Sequence, residues 1–266
     1  MRTMPYAESR GFRIYYEEEG QGQSLVLAHG GSDSHEMWRK YGYTDSLKES
    51  YRLVVFDFLG HGKSDKPREE SAYGPHMAED ILAILDTLGI EKAHFYGYSL
   101  GGMAGFYLAV HHPDRFSSFL LGGVSPYTWP EEMITAVNIS IDGYRLRLSD
   151  PEAYIRQMEQ MLGKEFSPEA RADLLAGDAE SAMAVLLSLL DWPPLSDREL
   201  AGIETPCVVY CGDQDPFYAG AQKSVQYLPR ARFLSMDGFN HISAFVQSEV
   251  VLPYVQAFFK AVSRVQ

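Results

Sequence analysis

Continuous hydrophobic runs recur along the chain, and most of them end in a cluster of glycine and polar residues. Runs without polar alternation are typical of strands that are covered on both faces. Apolar residues at helical spacing lie between several runs, for example over residues 77–88. Strands that alternate with helices predict an α/β fold with a mostly parallel, doubly wound sheet. The predicted strands cover residues 12–17, 25–28, 51–56, 93–97, 116–121, 206–211 and 231–236.

This rhythm stops in the middle of the chain. Residues 127–196 contain no strand-like run and are rich in Met, Leu and Tyr, with prolines at intervals. Some 70 residues without a strand is too long for a simple connection between strands. We therefore predict a core made of residues 1–126 and 197–266, and a helical cap made of residues 127–196.

Charge and composition limit the partners. The chain of 266 residues carries 36 acidic against 23 basic side chains, a net charge of −13. Such a charge repels phosphate backbones and anionic lipid surfaces, so we expect a small-molecule substrate and neither nucleic acid nor membrane as partner. Residues 1–12 contain no apolar signal region. The oligomeric state stays open.

Cysteine usage agrees with a cytoplasmic location. Cys207 and Cys211 are the two cysteines of the chain. Both fall in one predicted strand, where four residues separate the Cα atoms by about 13 Å, which is too far for a disulfide. We therefore expect a cytoplasmic protein without disulfide bonds.

One short motif joins a predicted strand to a predicted helix. Residues 97–101 read Gly-Tyr-Ser-Leu-Gly. The glycines let strand and helix approach closely, so the turn would expose the Ser99 hydroxyl and aim the Leu100 N–H at the same space. A motif this short also arises by chance in about one chain in ten of this length. The alternative is a glycine-rich helix start with a solvated serine.

Further polar residues follow other predicted strands. Residues 29–34, 212–216 and 237–241 come at strand ends, and ligands of parallel sheets bind at the carboxyl ends of the strands. A serine, an acid and a histidine thus fall at one sheet edge, in that chain order. Asp213 and Asp215 share strand parity, so periodicity does not separate them as the acid.

With these motifs in this order, the chain resembles the α/β-hydrolase superfamily along nearly its whole length. Residues 97–102 resemble the nucleophile elbow of the family, and residues 29–31, His-Gly-Gly, resemble its oxyanion loop. Residues 57–64 are similar to the family's D-x-x-G-x-G-x-S turn. Gly212 and Asp215 resemble its acid turn, and residues 240–241 its histidine loop.

The resemblance implies a role for each matching residue. Ser99 would be the nucleophile, His241 the base and Asp215 the acid, and the N–H groups of Gly31 and Leu100 would form the oxyanion hole. Metal and organic cofactors are not implied. Asp213 is expected to bond the N–H groups of its own turn instead.

The implied activity is a serine hydrolase that cleaves a carboxylic ester or lactone of a small to medium apolar substrate through an acyl-enzyme. A serine at the elbow disfavours epoxide hydrolases and haloalkane dehalogenases, which need a carboxylate nucleophile. Three alternatives stay open: hydrolysis of a carbon–carbon bond beside a ketone, perhydrolase or haloperoxidase activity, and a slow ligand sensor that signals to a partner protein.

Other polar residues near these motifs have more local interpretations. We predict that Asp57 bonds nearby backbone N–H groups and that His29 and His61 orient loops. We assign Ser32, His35 and Trp129 to the substrate pocket. For Ser32 and His35, a surface or helix-capping position is the alternative.

Overall fold

The computed structural model describes residues 5–31 and 33–263. Within these ranges one eight-stranded sheet has the strand order β1-β2-β4-β3-β5-β6-β7-β8, which confirms the predicted α/β fold. The strands are β1 (Tyr6–Ser9), β2 (Phe12–Glu19), β3 (Gln23–Ala28), β4 (Tyr51–Phe56), β5 (Ala93–Tyr98), β6 (Phe116–Gly122), β7 (Cys207–Gly212) and β8 (Ala231–Met236).

The sheet is parallel from β4 to β8, and β1 and β2 add an antiparallel edge. The chain winds from β3 outward to β4 and then crosses to β5 on the other side of β3. The crevice beyond the carboxyl ends of β3 and β5 is therefore the topological switch point, where sheets of this kind bind ligands.

The helices are α1 (Glu36–Lys40), α2 (Tyr43–Leu47), α3 (His76–Thr87), α4 (Leu100–His111), α5 (Glu131–Ser149), α6 (Pro151–Leu162), α7 (Pro168–Leu175), α8 (Ala179–Leu190), α9 (Asp197–Ala201), α10 (Tyr218–Ser224), α11 (Ser243–Val246) and α12 (Ser248–Ser263). None of the helices in the described ranges is both long and apolar enough to cross a membrane.

The short elements that were not predicted from the sequence include β1 and α2. Strand β1 has only four residues. Its Ser9 is a buried polar residue, and the Ser9 hydroxyl donates a hydrogen bond to Asp80 at 2.6 Å. Helix α2 is five residues long and follows Gly42, whose φ of +77° ends the preceding helical stretch. Neither element is long enough to display a hydrophobic period.

The chain divides into two compact units. The first comprises the described residues up to Asp65, Pro75–Pro130 and the described residues from Pro193 onward, and it contains the sheet. Aromatic rings fill much of its core. Trp38 lies edge-on to Tyr96 with ring centroids 4.8 Å apart, and Phe245 stacks on Tyr43 at 4.8 Å. Buried rings of this size contribute about 1.5–3 kcal/mol each.

The second unit comprises Lys66–Gly74 and Glu131–Trp192. Helices α5 to α8 make up most of it, and its described residues contain no strand. Pro151 and Pro168 occupy the first turns of α6 and α7, where a missing N–H costs nothing. The Ser181 hydroxyl connects α8 to the 66–74 segment, because it donates to the Lys66 carbonyl at 2.7 Å. The sequence did not predict that this segment belongs to the helical unit. That residues 127–196 form a cap stays a prediction from the sequence.

Candidate active site

Ser99 occupies the sharp turn between β5 and α4. Its backbone has φ +54° and ψ −111°, a conformation that side-chain-bearing residues rarely adopt. A Cβ on Gly97 would lie 2.2 Å from the Gly101 carbonyl oxygen, and a Cβ on Gly101 would lie 2.1 Å from the Ala28 carbonyl oxygen. Only glycine fits at these two positions. The turn is thus the strained strand-to-helix elbow that the sequence predicted.

His241 lies between Ser99 and Asp215. Its Nε2 atom is 3.1 Å from the Ser99 Oγ, and its Nδ1 atom is 2.8 Å from an Asp215 carboxylate oxygen. The other Asp215 oxygen accepts the Phe217 N–H at 2.9 Å. The Asp215 side chain is fully buried, whereas a quarter of the His241 side chain is exposed. The structure therefore brings the three predicted residues together as a hydrogen-bonded chain.

The two aspartates after β7 have different partners. The Asp213 carboxylate accepts the Gly238 N–H at 2.7 Å, in the turn that follows β8. The expectation that Asp213 bonds its own turn was wrong. Its partner lies on the neighbouring turn because β7 and β8 end side by side, with Gly212 opposite Met236. Asp215 is the aspartate that contacts His241.

The loop that carries His241 is fixed at its backbone. The Tyr98 hydroxyl donates to the His241 carbonyl oxygen. Burial raises the pKa of Tyr98 well above its usual value, so this hydroxyl keeps its proton. The Asn240 side-chain oxygen accepts the Ser243 N–H at 2.9 Å, at the start of α11. Sequence reasoning missed Tyr98, although its position directly before the nucleophile places it at the carboxyl edge of the sheet.

His29 orients the peptide bond between Gly30 and Gly31. Because the Phe58 N–H donates to the His29 Nε2 at 3.1 Å, the ring proton lies on Nδ1, which donates to the Gly30 carbonyl at 2.7 Å. Burial lowers the pKa of His29 to about 3, so the ring is neutral. In a trans peptide the carbonyl and the next N–H point in opposite directions. The bond to Gly30 therefore fixes the direction of the Gly31 N–H.

His61 holds the next peptide of the same loop, since its Nε2 donates to the Gly31 carbonyl at 2.8 Å. The prediction that His29 and His61 orient loops is confirmed. Leu100 is the first residue of α4, where N–H groups have no intrahelical acceptor. Gly31 and Leu100 thus lie in the loop and the helix end that flank Ser99.

Asp57 bonds backbone N–H groups, as predicted. Its oxygens accept the His35 N–H at 2.7 Å and the Lys63 N–H at 2.8 Å. The His35 Nδ1 also lies 2.8 Å from Asp57. Burial alone would raise the pKa of Asp57, but these hydrogen bonds and the charge of His35 lower it to about 2.

A cavity of about 360 Å³ lies within the first unit beside Ser99. The residues that line it are Gly30, Gly31, Asp33, Met37, Tyr41, Tyr98, Ser99, His241, Ile242, Phe245 and Val246.

The three residues assigned to the substrate pocket have different outcomes. His35 does not line this cavity, because its buried ring is turned toward Asp57. The Phe217 ring lies between Trp129 and His241. The ring centroids of Trp129 and Phe217 are 5.5 Å apart in an edge-on arrangement, and those of Phe217 and His241 are 5.8 Å apart. Ser32 lies outside the described residues.

Comparison with known proteins agrees with this fold. The family described as the alpha/beta hydrolase fold matches residues 23–146. The chain is 26% identical over 243 residues to 3-oxoadipate enol-lactonase 1 of Acinetobacter baylyi. This alignment covers 90% of this chain and 89% of that protein. It is 32% identical over 114 residues to the 2-hydroxy-6-oxononadienedioate/2-hydroxy-6-oxononatrienedioate hydrolase of Comamonas testosteroni, covering 42% of this chain and 40% of that one.

Among solved structures, the enol-lactonase from Burkholderia xenovorans LB400 superposes with a TM-score of 0.76 at 22% identity, covering 96% of this chain and 100% of that one. This likeness shows the fold. The chain therefore has the α/β-hydrolase fold, and the relatives that it is similar to are a lactonase and a hydrolase.

Proposed function

We propose that this protein is a serine hydrolase that cleaves a carboxylic ester or lactone of a small to medium apolar substrate. The observation that carries the proposal is the hydrogen-bonded chain from the Ser99 Oγ through His241 to Asp215. The similarity to enol-lactonases favours ester-type bonds within this class. Mostly apolar side chains around the cavity favour an apolar substrate.

Acylation begins at Ser99. As its Oγ attacks the substrate carbonyl carbon, the His241 Nε2 takes the hydroxyl proton. Asp215 accepts a hydrogen bond from the Nδ1–H of His241, which keeps the ring in the productive tautomer and stabilises the imidazolium. The N–H groups of Gly31 and Leu100 receive the developing oxyanion, and one such donor is typically worth about 3 kcal/mol. The carbon–oxygen bond to the alcohol then breaks, and the alcohol leaves with the proton from His241.

Deacylation repeats the sequence with water as the nucleophile. His241 takes a proton from water while the water oxygen attacks the acyl carbon. The bond to the Ser99 Oγ breaks, and the serine regains its proton from His241. An ester yields a carboxylic acid and an alcohol, and a lactone yields a single hydroxy acid.

Labelling with a fluorophosphonate tests the assignment of the nucleophile. We expect the mass of the probe adduct on the peptide that contains Ser99, and Ser99→Ala is expected to abolish both the label and turnover. Ser140→Ala is a suitable control, because this exposed serine lies on α5 and its hydroxyl donates to the Ala136 carbonyl of the same helix. Persistent labelling or turnover of Ser99→Ala would contradict the proposal.

Turnover of a panel of p-nitrophenyl esters and lactones separates an enzyme from a ligand sensor. An enzyme of this class is expected to turn over at least one substrate at about 1 s⁻¹ or faster. Rates below about one per minute on every substrate would favour the sensor.

A further inference from the structure

One wall of the cavity beside Ser99 is apolar. Met37 and Tyr41 contribute from α1 and the residue directly after it, and Ile242, Phe245 and Val246 contribute from α11 and its N-terminal flank. Phe245 and Met37 are buried, whereas the Ile242 side chain is 68% exposed directly after His241. An exposed large aliphatic side chain next to the catalytic base offers contact area to the acyl or alcohol group of a substrate.

The lining of this cavity includes an acidic side chain. Among its described lining residues, Asp33 carries the carboxylate, and there is no lysine or arginine. Asp33 is exposed at the loop after β3, and its Oδ1 accepts the Ser34 N–H at 3.0 Å. A cation lies behind this lining, since the amino group of Lys40 is 5.0 Å from the centre of the Tyr41 ring. Lys40 itself is exposed and does not line the cavity.

We propose that the cavity selects uncharged substrates over anionic ones, and that Asp33 is a specificity-determining residue for this choice. The inference rests on the proposed ester hydrolysis at Ser99. A carboxylate on the substrate would lose water against Met37 and Phe245 without gaining a basic partner, and burial of an unpaired charge is costly. It would also meet the like charge of Asp33. An uncharged acyl group meets neither cost.

Two matched esters measure this selection. p-Nitrophenyl butyrate carries an uncharged acyl chain, and mono-p-nitrophenyl succinate carries a carboxylate at the end of a chain of the same carbon count. The methyl ester of the second compound removes its charge and keeps its polarity. We expect kcat/KM for the anionic ester to be about 100-fold below that for the butyrate, because both desolvation and repulsion oppose it. The methyl ester is expected within about tenfold of the butyrate.

Asp33→Asn tests whether this residue contributes. Asparagine keeps a side-chain oxygen for the Ser34 N–H, so the loop retains that bond. We expect the ratio of the two kcat/KM values to move about tenfold toward the anionic ester, the effect of one nearby unit charge. Asp114→Asn is the matched control. It changes the net charge equally, but Asp114 is exposed before β6, at the amino end of that strand, and should leave the ratio unchanged.

Titration of Ser99 with a fluorophosphonate in each variant keeps the two proposals distinguishable. If Ser99 is labelled and the butyrate is hydrolysed, equal efficiency with the anionic ester overturns the charge selection and leaves the serine hydrolase standing. An unchanged ratio in Asp33→Asn overturns the role of Asp33. Absence of both labelling and hydrolysis overturns the proposed function, and the inference about charge with it.

Discussion

Two strand ends of the sheet carry the same pair of residues in nearly the same geometry. Asp57 follows β4 and bonds the Nδ1 of His35 at 2.8 Å, and Asp215 lies after β7 and bonds the Nδ1 of His241 at 2.8 Å. Both aspartates also accept backbone N–H groups. Asp57 accepts those of His35 at 2.7 Å and Lys63 at 2.8 Å, and Asp215 accepts that of Phe217 at 2.9 Å. The Asp–His contact alone therefore does not mark the active site.

The difference lies at the second ring nitrogen. The Nε2 of His241 faces the Ser99 hydroxyl, and a quarter of the His241 side chain is exposed. The Nε2 of His35 is buried and lies 3.4 Å from carboxylate oxygens of Glu17 and Glu36. One ring can pass a proton between a nucleophile and a substrate, whereas the other is enclosed by acids.

Electrostatics make the His35 pair a structural ion pair. Burial opposes the charge on His35, but the hydrogen bond to Asp57 and the charges of Asp57, Glu17 and Glu36 raise its pKa above the usual value. The pKa of Asp57 is held at about 2. Both shifts favour the charged forms of the two side chains, which fits a role in tying the loop before α1 to the end of β4.

The largest expected effect is on catalysis at Asp215. Asp215→Asn leaves a side chain of the same shape but reverses the hydrogen bond that selects the His241 tautomer. We expect kcat for an ester to fall by about 10³–10⁴ while the unfolding transition persists. Stopped-flow or steady-state assays normalised to folded protein measure this fall.

Asp57→Asn is the matched control, with the same change at the other strand end. We expect kcat per folded molecule to stay within about tenfold of wild type, because Asp57 contacts neither Ser99 nor His241. A loss of kcat in Asp57→Asn as large as that in Asp215→Asn would mean that both pairs serve catalysis.

The second-largest expected effect is a loss of fold stability when His35 is replaced. His35→Gln removes the cation and leaves the buried Asp57 carboxylate with its backbone N–H partners alone. We expect the free energy of unfolding to drop by about 3 kcal/mol, the usual cost of breaking a buried ion pair. Urea denaturation measures it. His76→Gln, an exposed histidine at the start of α3, should stay within about 0.5 kcal/mol of wild type.

The pH dependence of stability is a second test of the His35–Asp57 ion pair. The pKa of His35 is raised above 6.5 in the fold, so its contribution is fully present below pH 6.5 and is lost as the pH rises through the folded value. The contribution of Asp57 is present above pH 3.8 and is lost as the pH falls toward 2. We expect thermal unfolding to show the alkaline loss in wild type and to lack that component in His35→Gln. An identical alkaline profile in both proteins would contradict the ion pair.

The smallest effect is expected at Asp213. Asp213→Asn keeps an oxygen for the Gly238 N–H and does not touch His241, so kcat should stay within about tenfold of wild type. Steady-state assays of the two asparagine variants side by side give the ranking. A larger loss in Asp213→Asn than in Asp215→Asn would move the acid to Asp213.

Sequence reasoning predicted the features of the site that depend on neighbouring residues at the end of a strand. Gly97 and Gly101 flank Ser99 because no side chain fits there, and that requirement is legible in five consecutive residues. The carboxyl ends of β7 and β8 had to share the sheet edge of β5, which placed an aspartate and His241 there. The choice of Asp215 over Asp213 came from the resemblance to the α/β-hydrolase superfamily.

Contacts between segments that are distant in the sequence could not be predicted from it. His35 was assigned to the substrate pocket because nothing near it in sequence shows that Asp57, 22 residues away, would bury its ring. The bond from Tyr98 to the His241 carbonyl spans 143 residues. The 66–74 segment reads as a plain loop, and its place in the helical unit rests on contacts with α8 such as that of Ser181.

A covalent acyl-enzyme on Ser99 is the most direct test of the account. Rapid quenching of the enzyme with p-nitrophenyl butyrate, followed by mass spectrometry of its peptides, detects the butyryl group. We expect the peptide containing Ser99 to gain this mass at a rate no slower than turnover, and the same peptide of Ser99→Ala never to gain it. Turnover without any acylated peptide, or acylation at another residue, would contradict it.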